Sequence, residues 1–256
     1  MSVPILFYTT LTPRIDMRTE FKNALLVVIP VTFLVMMSAS LIEYRVQAQT
    51  PAFDKSNFND PLKIDNKYYF LKPGTIMTYK GTDEEGKSMR DIVTVTNDTK
   101  EIQGVPTRVV NDTVFVEGKL VETTNDWYAQ DDKGNVWYMG EDTTDFTNKK
   151  NPHEGSWESG VKGAKGGLIM LAEPKVGTTY DQEFAKDVAE DKATVLSLDN
   201  NATVPQGSYS KVIKTKEFSA LEPDVVEQKY YAANVGDIKE KTLKGSKEGI
   251  ELVEIK

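Results

Sequence analysis

From residue 68 onward the chain is broken into short β-rich runs, each closed by turn residues. "TIMTYKG" at 75–81 follows Pro73-Gly74, and "DIVTVT" at 91–96 alternates, with Val93 and Val95 on one face. "TRVVNDTVFV" at 107–116 is separated from "KLVETTNDWYAQ" by Glu117-Gly118, a two-residue gap containing glycine that signals a hairpin. "VWYMGE" at 136–141 comes after Asp132-Lys133-Gly134-Asn135, and five further runs lie between 192 and 256. This spacing predicts a mainly β, antiparallel fold, a curved sheet or half-barrel. No long amphipathic helix is evident. "EFAKDVAEDKA" at 183–193 reads either as a helical turn or as a strand with a bulge. Residues 143–167 hold five glycines and Pro152, and predict a long Gly-rich loop of the kind that often carries function.

A different signal precedes the strands. Residues 24–42, "ALLVVIPVTFLVMMSASLI", form a run without a charge, close to the roughly 20 apolar residues of a membrane-spanning helix. Arg14, Arg18 and Lys22 lie before it, and only Arg45 follows closely. That asymmetry places the N-terminus in the cytoplasm and the rest of the chain outside. Two outcomes share the pattern. Val46-Gln47-Ala48 has the small residues a signal peptidase reads, with cleavage before Gln49; an uncleaved run would instead anchor the chain in the membrane. Met17 also suits a start codon, with an ordinary signal peptide behind it. The expected organisation is a signal or anchor helix at 1–48, a linker at 49–67, and one β-rich extracytoplasmic domain at 68–256. The expected location is outside the cytoplasm, either secreted or anchored to the outer face of the cytoplasmic membrane.

Composition narrows the chemistry. There is no cysteine, so disulfides, thiolate nucleophiles and cysteine-ligated metals are excluded. His153 is the single histidine, which excludes a multi-histidine metal site and leaves one base for any serine triad. The net charge is −8 with no basic patch, which argues against a nucleic-acid partner. His153 lies near Glu141, Asp142 and Asp145 but reads as a solvated loop residue rather than a metal ligand, and no cofactor is expected. Asp131–Asn135 lacks the spacing of a calcium loop and reads as a hairpin turn. No phosphate loop, dinucleotide fingerprint or nucleophile elbow is present. Asn97, Asn111 and Asn201 begin Asn-x-Ser/Thr sequons and are glycosylation candidates in a host that modifies exported proteins; Asn111 sits in a strand-like run.

The stretch "DWYAQDDKGNVWYMGED" at 126–142 carries two Trp-Tyr pairs. Strand alternation puts Trp127 with Ala129, Tyr128 with Gln130, Val136 with Tyr138 and Trp137 with Met139, so each pair splits across the sheet. Two readings stay open: cross-strand aromatic packing, or a ligand groove lined by Trp127, Tyr128, Trp137 and Tyr138, with Trp157 as cover.

"FLKPGTIMTYKG" at 70–81, "DWYAQDDKGNVWYMGEDT" at 126–143, "EGSWESGVKGAKGGLIM" at 154–170 and "KYYAANVGDIKE" at 229–240 resemble a group of exported prokaryotic β-rich proteins without an assigned activity. The C-terminal half, through "VPQGSYSKVIKTKE", is similar to the open β half-barrels of lipoprotein carriers. One departure is Asn234-Val235-Gly236, where the resembling motif reads Gly-Val-Gly. The resemblance implies fold and location and transfers no catalytic residue. Three function classes follow. The favoured one is a non-catalytic binding or carrier module for an apolar small molecule or lipid, with the membrane a further partner if residues 24–42 stay uncleaved. The others are a secreted hydrolase using paired carboxylates and a cell-surface structural protein.

Overall fold

The computed structural model describes residues 50–256, so the signal or anchor helix expected at 24–42 lies outside the described residues. Two short strands, β1 (Asp65–Asn66) and β2 (Tyr69–Phe70), pair with each other. The remaining strands are β3 (Ile76–Thr82), β4 (Ser88–Ile102), β5 (Val105–Val116), β6 (Lys119–Gln130), β7 (Val136–Asp145), β8 (Trp157–Glu158), β9 (Lys165–Met170), β10 (Thr179–Asp181), β11 (Glu183–Phe184), β12 (Asp191–Val204), β13 (Gly207–Ser219), β14 (Val226–Ala232), β15 (Gly236–Lys244) and β16 (Gly249–Ile255). All pair antiparallel in one sheet, in the order β10-β12-β13-β14-β15-β16-β3-β4-β5-β6-β7-β9-β11, with β8 beside β7. The mainly β, antiparallel fold read from the strand spacing is the fold observed.

The turn chemistry explains the meander. Gln103-Gly104 and Glu117-Gly118 have φ values of 51°, 79°, 51° and 75°. Positive φ at both central residues is the tight-hairpin geometry that matches strand twist, and Val116 pairs with Lys119 across the second turn. In the Asp131–Asn135 turn, Asp131 Oδ1 accepts from the amides of Lys133 and Asn135. Register shifts in β4, β6–β7 and β12–β13 add bends that help the sheet curl.

The sheet curls beyond a half-barrel because one segment serves both of its ends. β10 pairs with β12, β11 pairs with β9, and only Gln182 separates them. Residues 179–184 therefore bridge the seam and leave the barrel nearly closed. Gly167 is required there: a Cβ at that position would overlap the Asp181 carbonyl and Gln182. The Gly-rich stretch thus contributes β8 and β9 to the wall, and 183–193 resolves as β11, a turn bridged at Ala185 and Ala189, and the start of β12. Residues 50–67 lie against the barrel, with Phe53 and Phe58 packing edge-on to Trp137 at 5.9 and 5.8 Å.

Candidate functional site

A cavity of about 260 Å³ opens inside the barrel. Its apolar wall includes Leu71, Met77, Val93, Val110, Ile169 and Ile250, and five tyrosines join them: Tyr69, Tyr79, Tyr128, Tyr138 and Tyr231. The same wall carries eight acidic side chains against one lysine, Lys229. Alternation places them. Val93 and Asp112 are register partners on β4 and β5, and Asp91 stands one step along β4 on the same face. On β6, Asp126 and Tyr128 follow one another at the two-residue period of that face.

Burial sets the charge state of these acids. A carboxylate removed from water favours its neutral form. Burial, with Asp112 nearby, pushes Asp126 up to about 7. Burial, with Asp126 nearby, pushes Glu141 up to about 8. The Tyr138 hydroxyl lies 2.7 Å from Asp126 Oδ1 and 3.0 Å from Glu141 Oε2. That hydroxyl has one proton, so it donates to one carboxylate and accepts from the other in its protonated form. Across the wall, burial raises Asp112 well above the usual carboxylate range, and the neighbouring Asp91 charge raises it further. Burial raises Asp91 to about 6, with the Asp112 hydrogen bond acting in the opposite direction. Glu183 is raised to about 9 by burial and by the charges of Asp191 and Glu141.

Lys229 organises a different corner. Its ammonium is 3.5 Å from Glu217 Oε2 and 3.4 Å from Glu240 Oε1. Burial disfavours that charge, but Glu240 and Glu217 more than offset it and hold the ammonium well above its usual range. Glu217 Oε1 also accepts from the hydroxyls of Thr215 at 2.9 Å and Tyr231 at 3.0 Å.

Of the aromatics singled out in the sequence, the structure gathers some and separates others. Tyr128 and Tyr138 are register partners, stack at 5.0 Å and line the cavity. Trp157 meets the edge of Tyr138 at 5.5 Å. Trp127 and Trp137 are buried away from the cavity. The Lys100 ammonium sits 3.4 Å over the Trp127 ring, and the Trp137 indole donates to Asp131 Oδ2 at 3.0 Å. So the expected split of each Trp-Tyr pair is what the sheet shows, with the tyrosines facing the cavity. His153 is tied to its loop, with Nδ1 2.8 Å from the Thr143 carbonyl. Asn97 and Asn201 are exposed, whereas Asn111 is half-buried in the sheet with its amide donating to the Thr124 carbonyl at 3.3 Å.

Sequence reasoning missed the interior acids, counting them only toward the net charge of −8. The available signal was phase: Asp126 shares a strand face with Tyr128, and Asp91 with Val93.

No family model matches the chain, and no curated protein matches it by sequence. Two solved structures resemble it. One is a Bacteroides fragilis protein inferred to be exported, with a YmcC-like fold: 14% identity, TM-score 0.43, covering 75% of this chain and 99% of that one. The other is a Parabacteroides distasonis protein inferred to be a lipoprotein: 12% identity, TM-score 0.44, with the same coverage. Likeness at that level identifies neither ligand nor activity.

Proposed function

We propose that this chain is an exported, non-catalytic binding module whose barrel cavity holds one small amphipathic molecule. The carrying observation is the cavity itself: a half-open space of about 260 Å³ with aliphatic, tyrosine and carboxyl groups on one wall. Ligand cavities usually run from about 300 to 1,000 Å³, so this one suits a small molecule. The apolar ligand expected from the aromatics matches the aliphatic and tyrosine part of the wall; the carboxyl groups call for a polar end as well. Export follows from the basic flank and uncharged run at 14–42.

Two features favour binding over hydrolysis. A retaining or inverting glycosidase needs two carboxyls flanking the substrate in distinct roles. Asp126 and Glu141 instead share one tyrosine hydroxyl and have both been driven toward the neutral form by burial. The cavity also favours a binding role over that of a structural protein with a filled core.

The test is displacement of a fluorescent hydrophobic probe from the full chain, paired with native mass spectrometry of protein purified from its own host. A retained small molecule and saturable probe binding support the reading. Val93→Phe, which fills the cavity from a half-buried wall position, should abolish probe binding while the protein stays folded. Probe binding unchanged in that variant, with no retained molecule in the wild type, would overturn the cavity as the site.

A further inference from the structure

Several polar atoms in the cavity wall are buried and lack a hydrogen-bond partner. Asp91 Oδ1, Gln182 Nε2 and Glu183 Oε2 belong to side chains only 7%, 4% and 9% exposed, and all three line the cavity; Asp112 Oδ1 is a fourth such atom, and the Asp91 and Asp112 carboxyls have only each other to share a proton with. Buried polar groups are nearly always satisfied, so each orphan marks either a shared proton or a missing partner. Three are carboxyl oxygens, which are acceptors, and they share the wall with the flat faces of Tyr69 and Tyr128, 5.4 Å apart. Lys229 is the one cation on this wall, and Glu217 and Glu240 occupy it.

Resting on the binding reading above, we propose that the cavity's ligand carries a protonated amine, seated by the adjacent carboxyls of Asp91 and Asp112. An ammonium supplies up to three donors to orphan acceptors and gains from aromatic faces nearby. It also supplies the charge that the wall lacks, so the carboxyls can ionise without isolation in a low dielectric. The Gln182 Nε2 donor asks for one acceptor on the same molecule, such as a hydroxyl or carbonyl. An organic cation fits better than a bare metal ion: among the described residues, no three His, Cys, Asp or Glu side chains converge closely enough to hold one. An alkyl body beside the ammonium would use the aliphatic wall.

The experiment is calorimetric titration of the full chain at pH 7.5 with hexylammonium chloride, hexan-1-ol, sodium hexanoate and calcium chloride, each also run as a competitor of the hydrophobic probe. Hexylammonium should bind at least tenfold more tightly than hexanol, and hexanoate more weakly than either. Asp91→Asn combined with Asp112→Asn should cost at least tenfold in hexylammonium affinity and leave hexanol unchanged. These amides are near-isosteres of neutral carboxyls, and an unchanged melting temperature shows that the fold survives. Equal binding of hexanol and hexylammonium would overturn the amine while leaving the cavity as a binding site. Calcium binding without amine binding would overturn it in favour of a metal. Failure of every compound to bind or displace the probe would overturn both readings.

Discussion

The barrel interior holds two sets of carboxyl groups, one paired with a lysine and one without. On β13–β15, Glu217 and Glu240 flank Lys229, and Glu217 gathers two hydroxyl donors besides. On β4–β7 and β11, Asp91, Asp112, Asp126, Glu141 and Glu183 form no ion pair among the described residues and are driven toward the neutral form by burial. Both sets stand on alternate positions of long antiparallel strands. One lysine separates them. An interior charge is tolerable where a counter-charge answers it and is otherwise removed by a proton. The lysine side is therefore a structural ion-pair network, and the other side is a reservoir of protons and orphan acceptors open to a ligand.

The largest expected effect is on pH dependence. Asp91, Asp126, Glu141 and Glu183 have folded values of about 6, 7, 8 and 9, against roughly 4 in an unfolded chain. The folded state thus keeps protons that the unfolded chain releases above about pH 4. Each retained proton costs about 1.4 kcal/mol per pH unit. The stabilisation is complete below the unfolded value and is lost as pH rises through the folded ones. Chemical denaturation should show stability falling by on the order of 10 kcal/mol between pH 5 and pH 9, enough to unfold a typical domain. A flat profile over that range would mean that the acids without a lysine are not held protonated in the folded chain.

Removing the lysine should make the two sides alike. Lys229→Met leaves Glu217 and Glu240 without their counter-charge, and the side chain is only 23% exposed. The expected cost at pH 7 is about 3 kcal/mol, read as a lower denaturation midpoint. A loss below about 1 kcal/mol would show that Thr215 and Tyr231 alone suffice to hold Glu217. On the other side, Tyr138→Phe deletes the hydroxyl shared by Asp126 and Glu141 and should cost about 1–3 kcal/mol. That penalty should grow with pH, because the ionised forms depend on the hydroxyl most.

The smallest effect is expected at Asp112. Since burial and Asp91 already keep its carboxyl neutral, Asp112→Asn should change stability at pH 6 by less than about 1 kcal/mol. The same variant should lessen the loss of stability at alkaline pH. A large loss at pH 6 would show that Asp112 is needed as an anion, and that an internal cation reaches it.

Local sequence determined the β strands, their hairpins and the splitting of each Trp-Tyr pair. Turn chemistry and period-two alternation act over a few residues: Glu117-Gly118 sets its own φ values, and Tyr128 cannot share a face with Trp127. Tertiary structure decided which face became the interior. Only when residues 179–184 bridge β12 and β9 does the sheet turn Asp91, Asp112 and Asp126 away from water and around one cavity. The same closure chose Tyr128 and Tyr138 as wall residues and left Trp137 to Phe53 and Phe58. The acids could not be read from local sequence because an aspartate on a strand looks the same whether its face meets solvent or another strand far along the chain. Its pKa, its partners and its use depend on that distant contact, since desolvation is a property of the assembled barrel.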